Sequence, residues 1–408
     1  MEDVLNKVFQ KIESLKDEMV EMQKRMIALP AISPVSGGKG ELRKARYLEP
    51  ILREIFDEVT FYNAPHPEAE EGIRPNIVAK MRGKNSSKTI WFMAHLDVVP
   101  EGDRKLWNTD PFTGVVKDGK IYGRGAEDNQ QAIASSIAAA KALKELGIRP
   151  SYDVGLLLVA DEETGNNYGI NYLLSKYNGV SNGDLVIVPD SGDPNGEKIE
   201  VAEKSILWLK VTTKGVQSHG AFPNQGKNAH KAAAYLITAI DGLYNKFTER
   251  DEIFDYPRHS FEPTKKEANV PNVNTIPGED VTYFDCRLLP SLKREDFLEE
   301  FKRCASEIEK RFGVQITIET VQSVASSKTE PDAPVVKAVQ RAVKRVLGRD
   351  AHPYGTGGGT VAAVFRNKGI PAAVYSKMDE VPHTPNEYCV IDNMVSDAKV
   401  WAHIMLEG

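Results

Sequence analysis

The sequence predicts an α/β chain with a mostly parallel central sheet, interrupted by an inserted α+β domain in which an antiparallel sheet carries two helices. Three observations lead there. Over residues 76–188 short, almost wholly apolar runs alternate with helical stretches, as in strands covered on both faces. From residue 206 the apolar runs give way to alternation of apolar and polar side chains, the pattern of strands with one wet face. After residue 321 the first pattern returns.

The elements follow in order. Residues 1–25 form an amphipathic charged helix with Val4, Val8, Ile12, Leu15 and Met19 on one stripe. A loop over 37–40 leads to a second amphipathic helix over 41–56. Strands are predicted over 76–81 and 89–94, and an alanine-rich helix over 132–146 ends at Gly147, a residue suited to the turn past a helix end. Strand 152–160, helix 169–176 and strand 184–188 come next. The insertion reads as strand 206–213, helix 228–243, strand 282–288, helix 294–312 and strand 314–320. Helix 333–347, a glycine-rich turn at 355–359, strand 371–376 and a helix ending near residue 406 complete the chain. The simplest organisation is a discontinuous domain, 1–204 plus 323–408, interrupted by a domain over 205–322.

Composition narrows the function classes. Hydrophobic residues at 41% and charged residues at 27% are those of a folded globular chain, which excludes disordered and fibrous classes. The balance of 52 basic and 58 acidic residues, a net charge of −6, gives no electrostatic reason to expect a nucleic-acid or anionic-membrane partner. Cys286, Cys304 and Cys389 are far apart and form no CxxC pair, so neither a disulfide framework nor a thiolate metal site is expected. The N-terminus lacks the apolar core of a signal peptide, and no apolar run approaches the roughly 20 residues that span a bilayer. A cytoplasmic protein is the expectation.

The informative feature is what stands at the ends of the buried strands. Strand 89–94 ends in His95-Leu96-Asp97, strand 152–160 in Asp161-Glu162-Glu163, and strand 184–188 runs into Asp190. In an open α/β sheet the ligand crevice lies beyond the carboxyl ends of the strands, so these groups should converge. Clustered carboxylates repel one another, and divalent cations satisfy them without a basic side chain for each. His95 and Asp97, two apart on an extended chain, point the same way; the Asp97 carboxylate would accept the proton on one ring nitrogen of His95 and leave the other for a metal. Adjacent Glu162 and Glu163 face opposite ways, which suits one to a metal and the other to holding water. The glycine-rich run Gly123-Arg124-Gly125 lacks the third glycine of a nucleotide-binding loop and is expected to deliver Asp128 into the cluster. His383 lies in a loop bracketed by Pro382 and Pro385.

The run from Ala94 through Pro100, then Trp107, Asp110-Pro111-Phe112, Asp118-Gly119, Tyr122 through Gly125 and Asp128, resembles the M20 metallopeptidase family. Its acetylornithine deacetylase and succinyl-diaminopimelate desuccinylase branch, with carboxypeptidases and dipeptidases as relatives, is the nearest match. The resemblance continues through Asp161-Glu162-Glu163, Ser218-His219-Gly220, Gly357 to Thr360 and the His383 motif. It implies a zinc-peptidase-like catalytic domain and an inserted lid or dimerisation domain. It also implies two divalent metal ions, usually zinc, with cobalt or manganese as alternatives. Asp128 would bridge them, His95 and Asp190 would complete one metal, and Glu163 and His383 the other. Glu162 falls at the general-base position, Asp97 behind His95, and His219 at the position that stabilises the oxyanion from a partner subunit in dimeric relatives. Asn274, Arg287 and the loop of Gly357, Gly358, Gly359 and Thr360 fall near positions that contact the substrate carboxylate. The resemblance thus implies a deacylase or desuccinylase of N-acyl amino acids or short peptides, with a dipeptidase or carboxypeptidase as the alternative and a non-catalytic binding protein as the reading from another class. A homodimer through the inserted domain is expected.

The chain departs from the family pattern in three places. Asn129-Gln130-Gln131 replaces a Lys-Gly element, Lys204-Ser205 stands where relatives have glycine, and Thr360 is followed by Val361-Ala362-Ala363 in place of Ser-Asp-x-Arg.

Overall fold

The computed structural model describes residues 2–326, 328–379 and 381–408. The chain divides into two compact units, one of Met1–Val201, Thr329–Pro353 and Thr360–Gly408, the other of Ala202–Lys328 and Tyr354–Gly359.

The first unit is built on an eight-stranded sheet in the order Glu58–Pro65, Ile73–Met81, Tyr152–Val159, Asn85–His95, Leu185–Val188, Ala372–Val374, Lys198–Glu203, His352–Thr356. Its four central strands, from Tyr152–Val159 to Ala372–Val374, run parallel, with His95 opposite Val159 and Phe92 opposite Ile187. The Glu58–Pro65, Ile73–Met81 and Lys198–Glu203 strands pair antiparallel beside them, so the sheet is mixed at its flanks. Strand Glu58–Pro65, absent from the sequence reading, is half-exposed along most of its length and carries Asn63 and Pro65, so it lacks the apolar run that marks its neighbours.

Alternate side chains of the His95 strand enter opposite faces, as the two-residue period of a strand requires. Trp91 and Met93 join a core with Leu157, Ile170, Leu173 and Phe365, while Phe92 meets Trp401 of the last helix, Ile391–Glu407, with ring centroids 5.3 Å apart. A Cβ on Gly155 would fall 2.0 Å from the Trp91 ring, so only glycine lets that ring cross the neighbouring strand. The alanine-rich helix spans Gln130–Glu145 and is buried over nearly all its length, with Gly147 in the left-handed conformation beyond its end.

Two local expectations change. The N-terminal helix is two helices, Glu2–Ser14 and Lys16–Ile27, broken at Leu15 where ψ rises to 0°; Met1 lies outside the described residues. The buried stripe runs through Leu5, Val8 and Ile12, leaving Val4 exposed.

The second unit holds a four-stranded antiparallel sheet in the order Ser260–Lys266, Glu279–Leu288, Ser205–Lys214, Gln315–Val324, with helices Ala229–Asp241 and Arg294–Phe312. Leu207, Leu209, Val211, Phe261, Phe284, Phe297 and Phe301 form its core. The sequence reading found three strands. Ser260–Lys266 escaped it because it is an edge strand, exposed beyond Phe261, with Pro263 at a register shift.

Candidate metal centre

Each strand end delivers its acid or imidazole to one place in the first unit. His95 is the last residue of its strand and 1% exposed. Its Nε2 lies 2.8 Å from Asp128 Oδ1 and 3.3 Å from Asp190 Oδ1. His383 Nε2 lies 3.2 Å from Asp128 Oδ2 and 3.1 Å from Glu163 Oε2. Two ligand groups emerge, His95 with Glu162 and Asp190, and His95 with Asp128 and Glu163, each with donor atoms within 4.8 Å of one another. Glu162 and Glu163 separate, one toward each group.

Asp97 stands beside His95 and contributes both its backbone carbonyl and its carboxylate. The nearest acceptor to His95 Nδ1 is the Asp97 backbone carbonyl, at 3.0 Å, with the carboxylate Oδ1 at 3.5 Å. The carboxylate also accepts the backbone N–H groups of Glu162 and Glu163, both at 3.1 Å, so it fixes the turn that carries the two glutamates. That turn begins at Asp161, a non-glycine residue with φ of +62°, whose carboxylate accepts from Arg74 at 2.6 Å and from the Tyr168 N–H at 2.9 Å. Arg74 also pairs with Glu41, and all three groups are buried.

The loop carrying Asp128 is held by Glu387. This fully buried carboxylate accepts from Arg124, from Gly125 N–H, from Glu127 N–H and from Asp128 N–H. Asn129 fills the space between strands: its amide donates to Asp190 Oδ1 at 2.6 Å and to Pro189 O at 2.8 Å, and its Oδ1 accepts from His95 N–H. The sequence reading missed Arg74, Glu387, Glu127 and Asn129. Their signal is weak in sequence because a buried carboxylate that accepts amide protons looks like any surface acid.

The crowding shows in proton affinities. Burial and then the Asp190 charge hold the Glu162 carboxyl well above the usual range, and burial together with Asp128 lifts Glu163 to about 7. Hydrogen bonds that its ring donates to Asp128 and Glu163 raise His383 to about 10. Burial opposes ionisation of His95, but Asp128, Asp190 and Asp97 outweigh it and raise that imidazole well above its ordinary value. Asp128 is lowered although burial works against it, because His383 and His95 stand against its oxygens. These are carboxylates and imidazoles competing for the same protons. A divalent cation relieves that competition.

The donor set fits such ions. Tetrahedral zinc with nitrogen and oxygen ligands at 2.0–2.2 Å sets its ligand atoms roughly 3.3 Å apart, close to the 3.1–3.3 Å separations of His383 from Glu163 and of His95 from Asp190.

The other predicted residues lie elsewhere in the chain. His219 belongs to the second unit, exposed on a two-residue strand paired with Thr275–Ile276, where its Nδ1 accepts from Ala221 N–H. Asn274 is exposed beside it, its carbonyl accepting from Gly220 N–H at 2.7 Å. Arg287 is held by Asp285 at 2.7 and 3.0 Å and donates to the Gly357 carbonyl at 2.9 Å, so Arg287 and Gly357 do come together. Thr356 Oγ1 accepts from Gly358 N–H, Gly359 lies near Ile206, and Thr360 Oγ1 accepts from Ala362 N–H.

An α/β unit whose strand ends gather histidines and carboxylates in this way is that of a metallohydrolase. Residues 91–407 match the profile of peptidase family M20/M25/M40. An uncharacterized metallohydrolase of Methanocaldococcus jannaschii is 40% identical, over 96% of this chain and 99% of its own. The chain belongs to peptidase family M20/M25/M40, as its motifs suggested, and is an enzyme acting on C–N bonds. A succinyl-diaminopimelate desuccinylase of Sulfurovum is 25% identical over 92% of this chain and 95% of its own. Among solved structures, an aminopeptidase of Bacillus cereus superposes with a TM-score of 0.78 at 19% identity, covering 96% and 98% of the two chains. A metallo-carboxypeptidase of Sulfolobus solfataricus gives 0.73 at 20% identity, covering 95% and 98%. These two share the fold. Among the described residues no helix is long and apolar enough to cross a membrane.

Proposed function

We propose that this chain is a dinuclear zinc hydrolase of the amide bond in N-acyl amino acids or short peptides. The observation that carries the reading is the pair of ligand groups meeting at His95, with Asp128 between the two histidines. Asp128 would bridge the ions, His95 and Asp190 would complete one position, and Glu163 and His383 the other; cobalt or manganese suits the same donors. Ions held by these residues would supply a lowered pKa for bound water and polarisation of the scissile carbonyl.

The remaining steps belong to the chain. Glu162 takes the proton of the attacking water and returns it to the leaving amine, its backbone amide held by Asp97. His219, exposed and drawn from the inserted domain, donates to the developing oxyanion across a homodimer formed through that domain. Arg287, held by Asp285, binds the substrate carboxylate together with Asn274 and the Gly357, Gly358, Gly359 and Thr360 loop. Because Thr360 is followed by Val361-Ala362-Ala363, which offers no arginine for a second acid group, dipeptide or carboxypeptidase substrates are the second reading.

The test is a zinc-loaded enzyme assayed on N-acetylornithine, N-succinyl-diaminopimelate, acylated hydrophobic amino acids and Xaa-His dipeptides. Hydrolysis of at least one class, lost on chelation and restored by zinc at two equivalents per chain, supports the reading. Hydrolysis that survives complete metal removal would overturn it.

A further inference from the structure

His383 is a candidate ligand that no strand end locates and whose side chain is largely exposed. It lies between strands Ala372–Val374 and Tyr388–Val390, in a stretch with no ladder of its own, with φ of +62° and a side chain 56% exposed. Beyond it Asn386 accepts from Asn108 N–H and donates to the Leu106 carbonyl, and before it the backbone is fixed by the loop and helix that follow Gly125. Glu127, 1% exposed, accepts the Asp379 N–H on one carboxylate oxygen and the Val381 N–H on the other, both at 2.7 Å. Gln131, in the first turn of the helix, donates to the Lys377 carbonyl at 2.8 Å and to Asp397 at 2.9 Å; Asp397 in turn accepts from Lys377 N–H and Ser376 Oγ. In the reverse direction Glu387 holds the amide of Asp128. The two loops thus grip each other through crossed buried carboxylates.

We propose that Glu127, seconded by Gln131, is a positioning residue that sets His383 against Asp128 and Glu163 and so governs the affinity of one metal position and not the other. The proposal rests on the dinuclear reading above. Its asymmetry has a structural basis: His95 ends a strand of the parallel sheet, and Asp190 follows another and is held by Asn129, so neither needs this grip.

The experiment is zinc titration of metal-free protein against a chromophoric chelator, with thermal unfolding of the metal-free protein as a check on folding. The wild type should bind two ions. Glu127→Ala should weaken one by about 10–100-fold and leave the other within about threefold. Glu127→Gln, which keeps one carbonyl acceptor for one of the two amides, should lose less and serves if the alanine variant does not fold. In a His383→Ala background, adding Glu127→Ala should cost nothing further at the weak position. Wild-type affinities at both positions in both Glu127 variants would overturn the proposal. So would equal weakening of both positions, or a further loss on top of His383→Ala, because either describes a general scaffold role. A wild type that binds only one ion would fail at the earlier step and remove the dinuclear reading with it.

Discussion

In the first unit the candidate side chains, His383 apart, are buried or half-buried, and the turns that bear them are tied to the backbone by carboxylates that themselves see no water. In the second unit His219 stands exposed on a two-residue strand, Asn274 is exposed in the turn just before the strand it pairs with, and Arg287 is held by Asp285 and Gly357. The difference accords with the roles proposed for each group. Like charges gathered within a few ångströms stay together only where every backbone amide and every turn is fixed around them. A donor that meets a substrate needs reach, and exposure leaves it that freedom.

The sharpest way to separate the two regions is to remove one proton carrier from each. Glu162→Gln should keep both metals and lower kcat by about 10²–10⁴; unchanged turnover would remove Glu162 from the mechanism. His219→Ala should lower kcat by about 10²–10³ and shift unfolding by less than about 0.5 kcal/mol, as expected of an exposed side chain. Mixing His219→Ala chains with Glu162→Gln chains should restore part of the activity, and failure in proven heterodimers would place the histidine in its own subunit.

A smaller effect tests the scaffold. Asp97→Asn leaves one carboxamide oxygen for two amides, and metal affinity measured by chelator competition should fall by about 10–100-fold. Fully retained affinity would show that the turn holds itself.

The smallest effect concerns pH. Burial lifts the Asp397 carboxyl to about 6, above its ordinary value, despite hydrogen bonds from Ser376 and Gln131. A raised folded-state value means that its contribution is present in full below the unfolded pKa, about 3.9, and is lost as pH rises through about 6. The metal-free wild type should therefore lose on the order of 1–3 kcal/mol across that window through this group, and Asp397→Asn should flatten that part of the unfolding curve. An identical slope in the variant would discount the buried carboxyl.

The comparison also explains what the sequence made legible. Strands buried on both faces announce themselves as apolar runs, and the acids at their ends stand out against that background; hence His95, Asp97, Glu162, Glu163 and Asp190 could be picked from residue type and position. Asp128 is reached through the glycine-rich loop that precedes it, and His383 needs family resemblance, because loops carry no period. The supports of the site were invisible: Arg74, Glu387, Glu127 and Asn129 act through long-range hydrogen bonds that leave no local pattern. Edge elements were lost for a related reason. Strands Glu58–Pro65 and Ser260–Lys266 are largely exposed and contain proline, so neither shows the buried run or the alternation that reveals a strand.

That second strand has a consequence for how copies of the chain meet. A free strand edge offers unpaired amides and carbonyls to any neighbouring molecule, which is the usual route to runaway sheet growth. Here the edge carries Pro263, a register shift between Pro263 and Lys265, and charged Lys265 and Lys266. A missing donor, a local kink and two like charges make it a poor template for a second strand. The antiparallel sheet is thereby closed to extension on that side, and its other edge, Gln315–Val324, carries a register shift of its own between Thr320 and Gln322.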